Sequence, residues 1–213
     1  MMRNAILLTA VLAALALVAG CNDGSISPTS GGEPLAAASL AEVALQSDLV
    51  TEQVLDAELA SMGAATTDKS GGGSGVVTQD VTFSRTRSCP GDGQFHLEGQ
   101  IHRTFDHDTR VMEAESSGLR TRTDCTFSHG EYMVTVNGTA EWDAFRRRID
   151  GVPDGLQTTR YFGSKSAVRS DGQERSCEFD VTVVRDPETH TRTLDGTICG
   201  TEVHRSVTWS FGE

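Results

Sequence analysis

The chain has 213 residues, 37% of them hydrophobic and 6% aromatic, and a formal charge of −12. That acidity excludes a broad nucleic-acid binder, which needs basic excess, and the hydrophobic share is too small for several membrane-crossing helices. Sixteen of the first twenty residues are apolar, so the remainder of the chain is only about one-third apolar, which is low for a globular core and fits one ordinary domain with tails.

Residues 1–20 read as a secretory signal peptide. Arg3 supplies the positive start, and Ala5 to Ala19 is apolar except for Thr9, a run too short for an ordinary membrane span. Leu17-Val18-Ala19-Gly20-Cys21 resembles the lipobox of bacterial lipoproteins, with apolar, small, small and Cys falling together where the apolar run ends. The resemblance implies cleavage after Gly20, a diacylglyceryl thioether on Cys21, and acylation of the freed amino group by a chain such as palmitate. One acyl chain binds a bilayer marginally, whereas two or three hold stably. By resemblance to enterobacterial sorting, Asn22 after the Cys favours the outer membrane over the inner. The expected home is therefore the bacterial cell envelope, with lipid on Cys21 as the membrane contact.

Residues 21–34 are rich in Ser, Gly, Pro and acids without apolar periodicity, as expected of a disordered, lipidated spacer. Residues 35–62 turn Ala- and Leu-rich with no Gly or Pro and predict an amphipathic tether helix. Ser39-Leu40-Ala41-Glu42 has capping-box spacing and Gly63 suits a C-terminal stop. Val43, Val50, Val54 and Ala57 form one stripe, with Leu45, Leu49, Leu55 and Leu59 beside it. Ser47-Asp48 would equally divide two short helices. Such a helix either docks on the next domain or a partner, or remains a weak acidic tether. Residues 63–75 form a Gly/Ser linker. Residues 21–75 carry eight acids against Lys69 alone, which leaves 76–213 at −6.

From Val76 the apolar period becomes two. Phe95, Leu97, Gly99, Ile101 and Phe105 share one parity, as do Tyr132, Val134, Val136, Gly138, Ala140 and Trp142. Cys177, Phe179, Val181 and Val183 repeat the pattern, and Val203, Val207, Trp209 and Phe211 close it. Each run is a strand with one dry face. Turn signals such as Asp106-His107-Asp108, Asp171-Gly172 and Asp186-Pro187-Glu188 leave no room for helical crossovers. The expected fold class is all-β. An antiparallel meander of about eight or nine strands over 76–213 closes into a small barrel or a two-layer sandwich. Gly99, Gly138 and Gly196 recur within an apolar-polar-Gly-polar-apolar frame, which predicts a strongly coiled sheet. Cys89, Cys125, Cys177 and Cys199 are an even set in an exported chain and read as two disulfides. Laying Phe179 opposite Gly196 brings Cys177 near Cys199, with a bulge at Cys199-Gly200. The favoured pairing is therefore Cys177–Cys199 with Cys89–Cys125.

The chain lacks G-x-S-x-G, H-E-x-x-H, Walker A and Rossmann motifs, and no cofactor is expected. Glu141 and Asp143 share a strand face of the kind glycosidases use, but on the wet side. His96 and His102 share a parity but lie roughly 20 Å apart on a strand, too far for one metal ion. His107, between Asp106 and Asp108, is a turn residue. Arg146-Arg147-Arg148 is the densest basic run and a weak anion-binding candidate for lipid phosphates or acidic glycans; the plainer reading is a charged strand end. The leading expectation is a non-enzymatic, lipid-anchored module for a small apolar ligand, held in a barrel interior, or for another envelope ligand. An envelope component that pairs with another protein is the alternative, and a carboxylate-based hydrolase the third.

Overall fold

The computed structural model describes residues 35–65 and 75–208. The expected signal peptide, Cys21, the spacer and most of the linker lie outside the described residues, as do Trp209 and Phe211. One helix, α1 (Ala37–Ala65), precedes nine strands: β1 (Val76–Ser88), β2 (Gln94–Asp106), β3 (Val111–His129), β4 (Tyr132–Ile149), β5 (Val152–Pro153), β6 (Gln157–Arg169), β7 (Glu174–Asp186), β8 (Thr191–Ile198) and β9 (Thr201–Thr208). All pair antiparallel in one sheet of order β1-β2-β3-β4-β6-β7-β8-β9, with the two-residue β5 beside β4. The meander is as expected.

The closure is not. The sheet does not close into a barrel and does not fold into a two-layer sandwich; β1 and β9 remain its two edges. Instead α1 lies against the inner face and completes the core, so that Leu40, Val43, Val54, Leu55 and Leu59 are buried in one cluster with Phe95, Leu97, Phe127, Val134, Trp142 and Val181. A helix apolar on most sides is a core helix. Only a narrow stripe of α1 that includes Leu49, Gln53, Ala57 and Ala60 faces solvent, so Leu49 and Ala57 are exposed while the other members of their two stripes are buried. The helix is continuous through Ser47-Asp48. It begins at Ala37, ahead of the Ser39 box, and passes Gly63 to end at Ala65. Tertiary burial of the whole segment has overridden those local stop and start signals.

Coiling comes from paired glycines. Gly99 sits directly opposite Gly118 across β2 and β3. A Cβ on Gly118 would stand 2.0 Å from the Glu98 carbonyl oxygen, and one on Gly99 would stand 2.3 Å from that of Ser117. No side chain fits where two strands approach so closely. A bulge between Arg122 and Cys125, with Asp124 at φ 52° and its N–H donating to Asn137 Oδ1 at 2.7 Å, shifts the inward parity of β3 from even to odd residues.

Both disulfides have the expected pairing, Cys89–Cys125 and Cys177–Cys199, with Cα atoms 5.3 and 5.0 Å apart. Loops of 36 and 22 residues make each worth about 3–4 kcal/mol on the chain-entropy account. The register that suggested the second pair is displaced by two residues, because Phe179 faces Ile198 and Gly196 faces Val181. The cause is local. Asp186 Oδ1 accepts from the N–H groups of Glu188 and Thr189, which builds a four-residue loop between Asp186 and Thr191 ending on His190 at φ 53°. The Asp106 loop repeats this device, with Arg110 at φ 58°. Cys199-Gly200 is then not a bulge but the two-residue turn joining β8 to β9, with φ positive at both positions, as type I′ hairpins require.

Candidate functional site

The inner face of the sheet is dry but not uniformly apolar. Arg103, Arg120, Arg122, Arg146, Lys165 and Arg192 are buried there, at the same strand parity as the apolar core. The acids of α1 meet some of them. Glu52 pairs with Arg192 and, at 2.7 Å, with Arg185. Asp48 Oδ2 lies 3.5 Å from Arg192, and its other oxygen accepts from the Tyr161 hydroxyl at 2.5 Å. Asp56 pairs with Arg148, and Glu58 takes the Arg85 guanidinium through two bonds. Arg175 donates to the Leu35 carbonyl and Arg103 to that of Met62, so cations grip both ends of the helix.

Burial dominates the electrostatics here. It raises the Glu52 carboxyl, and Asp48 adds to the rise, against the opposing pull of Arg192, Arg185 and Arg146. Burial and then Asp48 likewise hold the Tyr161 phenol above its ordinary value. Arg146 is held by bonds to oxygens other than carboxylates, donating to the carbonyls of Phe145 and Thr158 and to Thr159 Oγ1 at 3.0, 2.7 and 2.8 Å, while its Nε is buried without a partner.

The run Arg146-Arg147-Arg148 is divided by the strand period. Arg146 and Arg148 point inward, while Arg147 pairs on the outside with Asp154 at 2.6 Å and Glu113 at 3.4 Å. The structure therefore does not gather the three into one anion site.

The outer face carries an open groove of about 850 Å³. Its floor is a cross-strand row of Thr82, Gln100, Ser117, Asp143, Arg160 and Thr182, one from each of six neighbouring strands. A second row runs beside it through Asp80, His102, Glu115, Phe145 and Thr158. Five strand spacings make the first row about 24 Å long, and four make the second about 19 Å. His102 Nδ1 meets Asp80 at 2.8 Å, and Arg160 binds both oxygens of Asp180 at 2.9 and 2.7 Å. The hydrogen bond from Arg160 holds the Asp180 carboxyl below the usual range. Glu141 and Asp143 are exposed, on the wet face expected of them. His96, outside the groove, contacts Thr86 Oγ1 at 3.0 Å. Among the described residues no His, Cys, Asp and Glu cluster could hold a metal ion, and no helix is long and apolar enough to cross a membrane.

The sequence reading missed both surfaces. The groove rows depend on register across six strands, which no local pattern reveals. The inner charges did leave a signal, because Arg103, Arg120, Arg146 and Lys165 stand at dry-face positions. No family model matches this chain, and no curated protein or solved structure is significantly similar to it.

Proposed function

We propose that the chain is a lipid-anchored, non-enzymatic protein of the bacterial envelope that binds a polyhydroxylated envelope ligand, such as a glycan strand, in the outer groove. The lipobox resemblance at Leu17 to Cys21 supports the anchor, and two disulfides suit an oxidising exported compartment. The groove carries the reading. Its two rows offer amide, hydroxyl, carboxylate, imidazole and guanidinium groups, both donors and acceptors, along a length suited to several sugar units, with Phe145 as an apolar contact. The apolar interior is not the place for the expected apolar ligand, since α1 packs there, and this moves the ligand of the groove from apolar to polar. Catalysis is not part of the proposal, since the groove carboxylates face open solvent and one of its acids, Asp80, is held by His102.

The test is native mass spectrometry of protein extracted without denaturation, followed by titration with soluble peptidoglycan fragments. A diacylglyceryl mass on Cys21 and saturable binding that falls at least tenfold in Gln100→Ala and Asp143→Ala support the proposal. An unmodified Cys21 removes the anchor, and binding that survives both substitutions removes the groove.

A second reading, pairing with another envelope protein, rests on the edge strand β1, where Val76 and Val77 are exposed and backbone groups are open to strand addition. Crosslinking at Val77 separates the two.

A further inference from the structure

Arg120, Arg122 and Lys165 are 2%, 6% and 6% exposed, and no carboxylate among the described residues pairs with Arg122 or Lys165. Arg122 stands opposite Gly138, and Gly138 opposite Lys165, on the adjacent strands β3, β4 and β6. Gly138 contributes no side chain, and the gap above it is lined by Arg120, Arg122, Ala140, Ser164 and Phe179, with Lys165 standing across from Gly138 on the next strand. As it stands the gap is too narrow for a water-sized sphere, so a ligand must part the long, flexible side chains of Arg120 and Arg122 to enter. The Nε of Arg122 and both Nε and Nη1 of Arg120 are buried without a hydrogen-bond partner. What the cations do meet is aromatic: Arg120 lies 3.8 Å over the Tyr161 ring and Lys165 4.9 Å over that of Phe179.

Elsewhere on this face helix acids meet Arg85, Arg148, Arg185 and Arg192; in this trio Asp48 acts only on Arg120, from beside the Tyr161 hydroxyl that it holds, and Arg122 and Lys165 have no acid of their own among the described residues. An unmatched buried ion costs several kcal/mol, and arginine does not escape by losing its proton. Burial and the neighbouring Arg120 hold the Arg122 guanidinium well below its ordinary value, and burial with both arginines does the same to Lys165. Orphaned donors of one sign converging on one gap lack a multidentate acceptor. We propose that Arg120, Arg122 and Lys165 form an internal oxyanion site that takes a phosphate-type group, separate from the outer groove. The planar forks of the two arginines suit bidentate contact with such a group, and Lys165 adds a point charge. The group is either free inorganic phosphate or the head of a phosphomonoester lipid.

The test is thermal melting and calorimetry of the mature full chain with inorganic phosphate against chloride at matched ionic strength. A second arm uses dioctanoyl phosphatidate, with dioctanoylglycerol as control. Saturable phosphate binding is expected, with the melting temperature raised by roughly 5 °C or more at a hundredfold excess over Kd. Lys165→Met and Arg122→Met each weaken it at least tenfold, and Arg147→Met on the outer face leaves it unchanged. Lys165→Met removes an unmatched buried charge and retains an apolar stem, so it keeps the test open should Arg122→Met fail to fold. Binding of phosphatidate that phosphate displaces assigns the head group as a source, and phosphate binding without phosphatidate binding assigns the free ion. Identical melting in phosphate and chloride with no phosphatidate binding overturns the site, as does binding retained in both methionine variants.

Discussion

Similar charged pairs occur on both faces of this sheet in opposite surroundings. On the outer face Arg160 and Asp180 form a two-bond pair with side chains 52% and 48% exposed. On the inner face Arg192 meets Glu52 and Asp48 with all three at 7% or less. The outer pair gains little over its hydration, whereas each inner partner depends on the others because water cannot replace them. Polar spacing on a strand therefore says nothing about energetic weight until the opposing element is known. Here the opposing element is a helix that carries its acids inward.

The largest test of that contrast is deletion of one inner acid. Glu52→Ala removes a buried carboxylate from both Arg192 and Arg185 and should cost about 3–5 kcal/mol. Asp180→Ala on the outer face should cost no more than about 1 kcal/mol. Equilibrium urea unfolding at neutral pH measures both, and equal effects would abolish the distinction between the faces. Glycine substitutions give the next largest effect. Gly118→Ala drives a Cβ into the Glu98 carbonyl at 2.0 Å, and since backbone must move the expected loss is at least about 2 kcal/mol. Gly130 lies in a turn with open space around it and φ 58°, so Gly130→Ala should cost only about 1 kcal/mol of left-handed strain.

Acid should act with opposite sign on the buried Glu52 and on Asp171 in the turn between β6 and β7. Burial and Asp48 raise Glu52 above 4.5, so its charged form costs the fold stability as pH climbs from 4.5 through the raised value. That stability returns on acidification through the same window. Asp171 behaves the other way. The Arg169 hydrogen bond holds it down to about 2, so its stabilisation is present above 3.8 and is lost as pH falls through about 2. Urea midpoints over a pH series should show wild type gaining on Glu52→Gln as pH falls from neutrality. A constant difference between the two would show that Glu52 does not titrate in the folded protein.

The strands were legible because each dry face alternates over many residues, as in Phe95 to Phe105 and Tyr132 to Trp142. The disulfide pairing was legible from parity even though the register was two residues out, since the Asp186 cap lengthens the loop without changing which face Cys177 takes. Helix docking was not legible. Asp48, Glu52, Asp56 and Glu58 on an acidic helix look like a solvated surface, and only the arginines at dry positions of distant strands reveal that these acids turn inward. Barrel closure was expected because strand count alone forces curling; it says nothing of what fills the curl. The groove was hidden for a related reason, because Ser117, Asp143 and Arg160 become neighbours only through register.

The smallest expected effect tests the same principle inside three consecutive residues. Arg146, Arg147 and Arg148 are chemically identical, and only strand parity separates their surroundings. Arg146 is buried with three donor contacts to Phe145, Thr158 and Thr159; its replacement by Ala leaves those acceptors without their donor and should cost about 2–3 kcal/mol. Arg147 faces out, 39% exposed, between Glu113 and Asp154. Solvent screens both contacts, and Arg147→Ala should shift stability by no more than about 0.5 kcal/mol. Urea unfolding of the two single variants and of the double variant measures this, and the double should equal the sum of the singles, because the two side chains lie on opposite faces and share no partner. Equal losses from Arg146 and Arg147 would mean that the run acts as one charged surface after all.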